Sequence, residues 1–534
     1  MLFDPQADTI ARPHPLYVDM WRDWQLCDDL DDGVARMRWA ALECEERWLP
    51  SEHLEEFAQY AKRVQRSDLY PGFSQGLDDA IARPFSKPVQ VDNLPAEWEP
   101  WTWDIDGSGN DLTQFLSHFM RSAVKHGMAH IFVDFTNQGG GTVSRAVEER
   151  MRPRPWWRLI AAPSLFNWRS ETLPSGKHVL TEARIHSIDT IPDGQHGEKP
   201  VEHVRVLRRD SFELWRNKAF MPPVARPTDP RSLDNARYYA AKPQRPQTWE
   251  LVDSGAFGPP GGFESLPIVT AYTGYQGFMR ARPPFMALAE TNVTHWQSSS
   301  DQRNIAHFAR VPILFARGFN AEEMNGQAIG AGTAISTTDP DADLTIIEHS
   351  GAAVMVGQED LDRLERRMEQ LGVRPHVERM QGATATGIAV NSASADTDVQ
   401  AWAQSADTAA EQAFDWSARW SGTESPEDLD VQIYKDFDVV VAGQSDIDTL
   451  RADVESGRVR VETYLKEVKR RGVYGDALDI EAELAYAEEE KQRKEEIAAT
   501  IAGGTPDDDD DADENDNPDD GGGMPPNPNQ REAE

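Results

Sequence analysis

The sequence predicts a mixed α+β fold, and three observations carry that prediction. Gly357 to Gly422 holds two stretches of helical period separated by a break marked with glycine and proline. Leu180 to Val252 holds short alternating runs, such as His203-Val-Arg-Val-Leu207 and Phe212-Glu-Leu-Trp215, that suit an antiparallel meander. Ala129-His-Ile-Phe-Val-Asp134 and Leu266-Pro-Ile-Val-Thr-Ala271 are apolar enough to be buried strands.

The chain has 534 residues, 39 % of them hydrophobic, with 16 tryptophans, so it can bury substantial cores in two to four structural units. Formal net charge is −37, which argues against sequence-specific nucleic-acid binding through a broad basic patch. The stretch 506–534 contributes −11 of this, leaving −26 on residues 1–505, so the body itself is acidic. Two cysteines, Cys27 and Cys44, make neither a disulfide framework nor a zinc module. No apolar run approaches the roughly 18 residues of a membrane span, and Met1-Leu-Phe-Asp-Pro5 lacks the basic-then-apolar signal pattern, so no membrane partner is expected.

In chain order, His14 to Trp24 leads into a helix, and Arg47-Trp-Leu-Pro50 precedes an amphipathic helix over Ser51 to Ser67, with Ser51 as its N-cap. This N-terminal part is expected to be surface scaffold. Asp104-Ile-Asp-Gly-Ser-Gly-Asn-Asp111 alternates carboxylates beside glycine, but an EF-hand needs glutamate at loop position twelve and Phe115 stands there. A turn in which Ser108 or Asn110 caps a helix over Leu112 to His126 fits better. His126 and His130 lie four apart, but Gly127 breaks the helix between them and no glutamate completes a zinc-protease pattern, so no metal is expected.

Met221 to Gln247, rich in proline and arginine, reads as a long loop. Pro283-Pro284 opens a helix to about Phe308 whose polar middle, Gln297-Ser-Ser-Ser-Asp301, would suit a channel-facing or subunit-facing helix. Val311 to Phe315 and Leu344 to Ile347 read as strands, separated by a helix or loop over Asn320 to Gly332. Leu361, Leu364, Met368 and Leu371 then share one helical face, ended by Gly372 and kept from resuming by Pro375. Val399, Trp402, Ala406, Ala409, Ala413, Trp416 and Trp420 stripe a second helix that starts near Ile388 and runs roughly 50 Å. Small residues at its centre favour close packing against another helix. Val431 to Tyr434 and Asp438 to Ala442 are expected to return to the outer sheet. Ser445 to Asp448 would cap a helix over Thr449 to Gly457. Val461 to Arg471 and Asp479 to Thr500 would follow as helices, and the acidic tail from Gly503 would be disordered.

Between the two striped helices lies Gly382-Ala-Thr-Ala-Thr-Gly387-Ile-Ala-Val390. It resembles the small-residue junction after the tunnel loop of tailed-phage portal proteins, especially the family known as domain of unknown function 4055. Pro284-Phe-Met-Ala-Leu-Ala-Glu-Thr-Asn-Val-Thr-His295 is similar to a helix of that family, as are Ser300 to Asn304 and Val311 to Leu314 to its continuation. Trp48-Leu-Pro50, Tyr60 to Ser67, Arg154-Pro-Trp156 and Asn167-Trp168 occupy further positions of the pattern, the first and third with an aromatic exchanged.

The resemblance implies a wing over residues 1–282, a stem helix over 283–310, a clip over 311–356 and a second stem helix over 357–372. A tunnel loop over 373–386, a long wing helix with returning strands over 387–444, a helical crown over 445–502 and the tail over 503–534 complete it. The function implied is non-enzymatic, with no cofactor: a dodecameric ring at one capsid vertex. Through it double-stranded DNA is packaged and ejected, without sequence specificity. Its partners would be further copies of itself, the terminase large subunit, the major capsid protein and a head-to-tail adaptor. Its location would be the virion, and the host cytoplasm during assembly.

Arg374, His376, Glu378, Arg379 and Gln381 would line the channel, with Gly372, Pro375, Gly382 and Gly387 as loop hinges. Leu361, Leu364, Met368, Trp402, Ala406, Ala409 and Ala413 would pack against neighbouring copies. Gly382 to Gly387 continues as Ile388-Ala389, not the lysine of a phosphate loop, so energy would come from another protein. The alternative is a soluble acidic hydrolase with a helical accessory domain, since two well-placed carboxylates suffice for glycoside hydrolysis.

Overall fold

The computed structural model describes residues 9–44, 46–135, 154–218, 248–259, 261–309, 313–317, 341–347, 352–372 and 385–435, with 451–494 described in part. The chain divides into two compact units, Met1–Asp438 and Val439–Glu534. Helices and strands are mixed throughout the first, an α+β arrangement.

The first unit opens with four helices: α1 (Pro15–Asp31), α2 (Val34–Glu43), α3 (Phe57–Arg66) and α4 (Gly72–Ala82). The short strand β1 (Gln90–Asp92), a single turn α5 (Glu99–Thr102) and α6 (Leu112–His126) follow. Strand β2 (Met128–Phe135) is joined in the chain by β3 (Pro155–Ala161). A five-stranded antiparallel meander comes next, in sequence order: β4 (Leu165–Thr172), β5 (His178–Asp193), β6 (Gly197–Arg208), β7 (Ser211–Asn217) and β8 (Trp249–Ala256). Strand β9 (Ile268–Tyr272) then pairs with the far side of β2, giving a three-stranded antiparallel sheet of order β3-β2-β9.

Helix α6 shows how local chemistry sets an element's limits. Asp111 accepts a hydrogen bond from the Gln114 amide at 2.8 Å, which fixes the N-cap there and not at the expected Ser108 or Asn110. The Asp106 carboxylate instead accepts from the Ser108 amide and the Asn110 side chain, building the turn before the cap. At the other end Gly127 adopts φ 86, where a side chain's first carbon would meet the Arg282 carbonyl oxygen at 2.6 Å. That single glycine therefore both stops the helix and turns the chain into β2.

Strand β2 is buried on both faces. Ala129, Ile131 and Val133 join the apolar cluster that holds Phe115, Leu116 and Phe119 of α6. Met128 and Phe132 point the other way, into a second cluster formed by Tyr17 and Trp24 of α1 and by Ala183, Val204 and Val206 of the meander. Each fully buried large side chain contributes about 1.5–3 kcal/mol, so the strand is pinned by both layers. Tryptophan tips are anchored as well: the Trp24 ring nitrogen donates to the His126 carbonyl at 2.8 Å, and the Trp157 ring nitrogen to the Ser417 hydroxyl at 3.0 Å.

Three expectations from the sequence are corrected here. The helix expected from Ser51 begins at Phe57; Ser51 instead donates to the Glu46 carboxylate, while Glu56 occupies the N-cap. The N-terminal part is core as well as surface. Asp29, fully buried, gathers Arg36, Arg47 and the Trp48 ring nitrogen, while the Tyr60 hydroxyl donates to the Leu49 carbonyl at 2.7 Å. Val431 to Tyr434 does not return to the outer sheet. Strand β14 (Asp430–Gln432) pairs with β1 in a separate two-stranded ladder, and Asp438 to Ala442 lies outside the described residues, as do Met221 to Gln247, Asn320 to Gly332 and the tail.

In the second unit a helix spans Val461–Arg470, beginning where the Tyr464 amide donates to the Arg460 carbonyl, and 482–486 is helical as well. No helix among the described residues is long and apolar enough to cross a membrane.

Candidate assembly site around the paired helices

After β9, a helix over Met286–Ala309 (α7) leads into two strands, Ile313–Arg317 (β12) and Asp343–Ile347 (β13), and back into a helix over Ala352–Leu371 (α8). The small ladder of β10 (Tyr275–Gly277) and β11 (Arg280–Ala281) precedes α7. Helices α7 and α8 pack side by side. At Gly357 the side chain of Gln302 crosses from α7 so closely that a Cβ there would lie 2.0 Å from Gln302 Oε1. Gln302 uses that approach to donate to the Val354 carbonyl at 2.6 Å.

The polar middle of α7 is consumed inside the protomer. Asn292, fully buried, accepts from the Phe73 amide and donates to the Tyr70 carbonyl. Gln297 donates to the Trp48 carbonyl at 3.0 Å, and Arg63 reaches both Ser300 and, at 3.7 Å, Asp301. The Glu55 carboxylate bonded to Arg63 holds that guanidinium's pKa above its ordinary value. Burial depresses the pKa of His295, although Glu365 on α8 lies 3.3 Å from its Nε2 and opposes the shift. The expectation that this polar run faces a channel or a neighbour is corrected. It is a seam between α7, α8 and the segment 48–73, because buried polar groups must find partners and these find them at home.

The apolar stripes are also satisfied within one chain. Leu361, Leu364 and Met368 of α8 are buried, and Met368 belongs to the main core. The long helix α9 spans Ala385–Ser421, 37 residues and roughly 55 Å. Its Trp402, Ala406, Ala409 and Ala413 lie in the same core as α6 and β2, with Trp402 edge-on to Phe285 at 5.6 Å. Within one chain these seven residues, expected to pack against neighbouring copies, are buried against the protein's own helices and sheets. The alanines do allow close approach, but it is to the chain's own sheet. Trp416 and Trp420 are half-buried; the Trp420 ring nitrogen donates to the Val133 carbonyl at 3.0 Å.

Arg374, Pro375, His376, Glu378, Arg379, Gln381 and Gly382 lie outside the described residues. Gly372 ends α8, its amide donating to the Met368 carbonyl. Gly387 lies in the first turn of α9. Sequence reasoning missed Asp407. This buried carboxylate on α9 accepts from the Ile433 amide at 2.9 Å and from Lys435 at 2.7 Å, strapping the strand region after α9 onto the helix. Burial raises its pKa to about 6, against the pull of Lys435. Its place at helical spacing among alanines was a visible signal.

Strands β12 and β13 form a ladder of five residue pairs, from Ile313 opposite Ile347 to Arg317 opposite Asp343. No third strand joins it among the described residues. No group of three or more metal-capable side chains is found among the described residues either.

Residues 284–421 match the family model described as Domain of unknown function (DUF4055). That span covers α7, the β12–β13 ladder, α8 and α9, and it is the family that Pro284 to His295 and Gly382 to Val390 resemble. Among solved structures, the chain is similar to one described as the neck of an empty GTA particle computed with C6 symmetry. The TM-score is 0.38 at 11 % identity, covering 74 % of this chain and 88 % of that one. A second is the virion of a native gene transfer agent particle, with TM-score 0.37 and 11 % identity over 76 % and 91 %. A third is the neck of a native GTA particle computed with C12 symmetry, with TM-score 0.37 and 12 % identity over 74 % and 88 %. No curated protein matches the sequence.

Proposed function

We propose that this chain is a portal-type structural protein of a phage-like particle, a ring of copies at one capsid vertex. The observation that carries the reading is the order of elements within the matched span: helix, two-stranded ladder, helix, break, 37-residue helix. In this reading α7 and α8 are the stem, β12 and β13 belong to the clip, and the tunnel loop over 373–386 would project into the bore. The first 282 residues form the wing and the second unit the crown.

The ladder supports the reading because a lone two-stranded sheet is marginal in water and leaves both outer edges without backbone partners. Copies arranged around an axis supply those partners, one edge meeting the next. The acidic body suits a conduit, because DNA affinity comes mainly from cationic contacts and a wall without them lets a duplex slide. Arg374, His376 and Arg379 would touch phosphates briefly, with Glu378 limiting the grip. The chain carries no energy-coupling motif of its own, so a terminase large subunit drives translocation; the capsid protein and a head-to-tail adaptor are the other partners.

Light scattering of the purified chain, paired with negative-stain images, tests this. The expected result is a mass near twelve copies and annular particles with a central hole. Monomers at every concentration, with no annuli when capsid protein is added, would sink it.

A further inference from the structure

Helix α8 is held unevenly along its length. Near its carboxyl end Met368 belongs to the main apolar core and packs so tightly that a Cβ on Gly72 would meet its Sδ at 3.1 Å. Leu361 and Leu364 are buried but lie outside that core. Towards the amino end two polar contacts tie α8 to α7: Glu365 meets His295, and the Val354 carbonyl accepts from Gln302. Met355 and Val356, in the first two turns, are exposed and anchor nothing. An open cavity of ≈ 760 Å³ lies between α7, α8 and the segment 66–71, so one flank of α8 faces space rather than side chains.

His295 lines this cavity yet is only 5 % exposed. Its Nε2 is 3.3 Å from Glu365 Oε1, while its Nδ1 is buried and has no hydrogen-bond partner among the described residues. A neutral ring fits this arrangement: Nε2–H donates to Glu365 and Nδ1 is a bare acceptor. An imidazolium does not, because its second N–H would be a buried donor with nothing to receive it. The groups that face the ring do not reverse this. Glu365 on α8 and Asp68 before α4 favour the cation; Arg66 on α3 and Arg303, two turns further along α7, carry the opposite sign, and Arg303 is bonded to Asp68. Tyr70 sets its uncharged ring 5.5 Å away, and His307 completes the titratable lining. Burial outweighs the two acids and holds the pKa of His295 below its ordinary value.

We infer that α8 is an acid-released clasp: when His295 takes up a proton, the amino-terminal half of α8 parts from α7 about its anchor at Met368, so that water reaches the ring's second N–H. The parted pair leaves His295 to titrate near the ordinary 6.5, whereas the closed pair binds the proton less readily. Closure is therefore fully favoured above about 6.5 and weakens as pH falls from there. Asp407 on α9 responds with the opposite sign, since burial raises its pKa. The end that moves is the one joined in the chain to β13, so the step changes how the β12–β13 ladder is carried. The inference does not rest on the ring reading and holds for a chain of any oligomeric state.

The test is hydrogen exchange of the full chain, read by mass spectrometry at about pH 7.5 and pH 5, with each set corrected for the intrinsic exchange rate and α6 as internal reference. Protection of residues 354–362 relative to α6 should fall at the lower pH by between about threefold and thirtyfold, the upper figure being the limit that an ordinary histidine value of 6.5 allows. His295→Gln, which has no titrating ring, should keep that protection constant to within about twofold. Glu365→Gln should deepen the acid loss, because it removes a group that favours the imidazolium in the closed pair. An equal acid loss in the native chain and His295→Gln, or none in the native chain, would overturn the inference. Should His295→Gln fail to fold, Glu365→Gln decides alone: a deeper loss supports the clasp, and an unchanged or shallower one overturns it.

Discussion

Helix α9 and the β12–β13 ladder are both segments whose sequence pattern asks for a partner, and the chain answers them differently. The α9 stripe finds its partner on the protein's own three-stranded sheet and on α6. The ladder finds a single antiparallel mate and no more among the described residues. An apolar stripe can be served by any complementary surface, including one encoded hundreds of residues away. A strand edge needs another backbone in register. Unmet demand is therefore better read from hydrogen-bonding groups than from hydrophobicity, and among the described residues it sits at the β12–β13 ladder.

The sharpest way to break this contrast is Trp402→Ala. With the indole buried against Phe285, truncation should cost about 3–5 kcal/mol in chemical denaturation and leave the state of assembly of whatever remains folded unchanged. A variant that melts normally but no longer associates would return the stripe to the interface. The converse is Leu314→Pro in β12, which removes a backbone donor. It should abolish annular particles in negative stain while shifting the melting temperature of the first unit by less than about 3 °C.

Gly357→Ala sharpens the helix pair. The added methyl would evict Gln302 from its bond to Val354, and an expected loss of about 1–2 kcal/mol should appear in equilibrium unfolding. Asp407 gives a smaller, pH-dependent effect. Its folded pKa of about 6 lies above the ordinary 3.8, so the fold favours the protonated form. This site's contribution is full below the ordinary carboxylate value and is lost as pH rises through about 6. Between pH 7.5 and 5.5 the native chain should gain about 1 kcal/mol from it, and Asp407→Asn should remove that slope in paired denaturation curves. The least effect on stability is expected from Arg374→Ala combined with Arg379→Ala: none on melting, and a reduced DNA translocation rate in a packaging assay.

The fold class, the meander, both β2 and β9, and the helix–strand–strand–helix order were legible in the sequence. Each rests on local period, which side-chain geometry enforces residue by residue. What the stripes touch was not legible. Leu361, Trp402 and Ala409 show that period reveals a buried face without revealing who buries it. The polar middle of α7 misled for the same reason, since Asn292 and Gln297 are matched by Phe73, Tyr70 and Trp48 over separations of more than 200 residues. Asp29 and Asp407 were hidden because in so acidic a chain a functional carboxylate looks like every other.

Helix α9 runs without interruption from Ala385 to Ser421. Pivoting about its middle, a rod of roughly 55 Å behaves as a lever: a tilt of about 2° moves each end by about 1 Å, in opposite directions. Because the rod's middle is clamped to β2 and α6 by methyl groups and indoles, mechanical load applied at the amino end has a stiff route to the opposite rim. Spin labels at residues 412 and 188, read by pulsed dipolar spectroscopy with and without DNA threaded, would register that displacement, and an invariant distance would show that the clamp absorbs it.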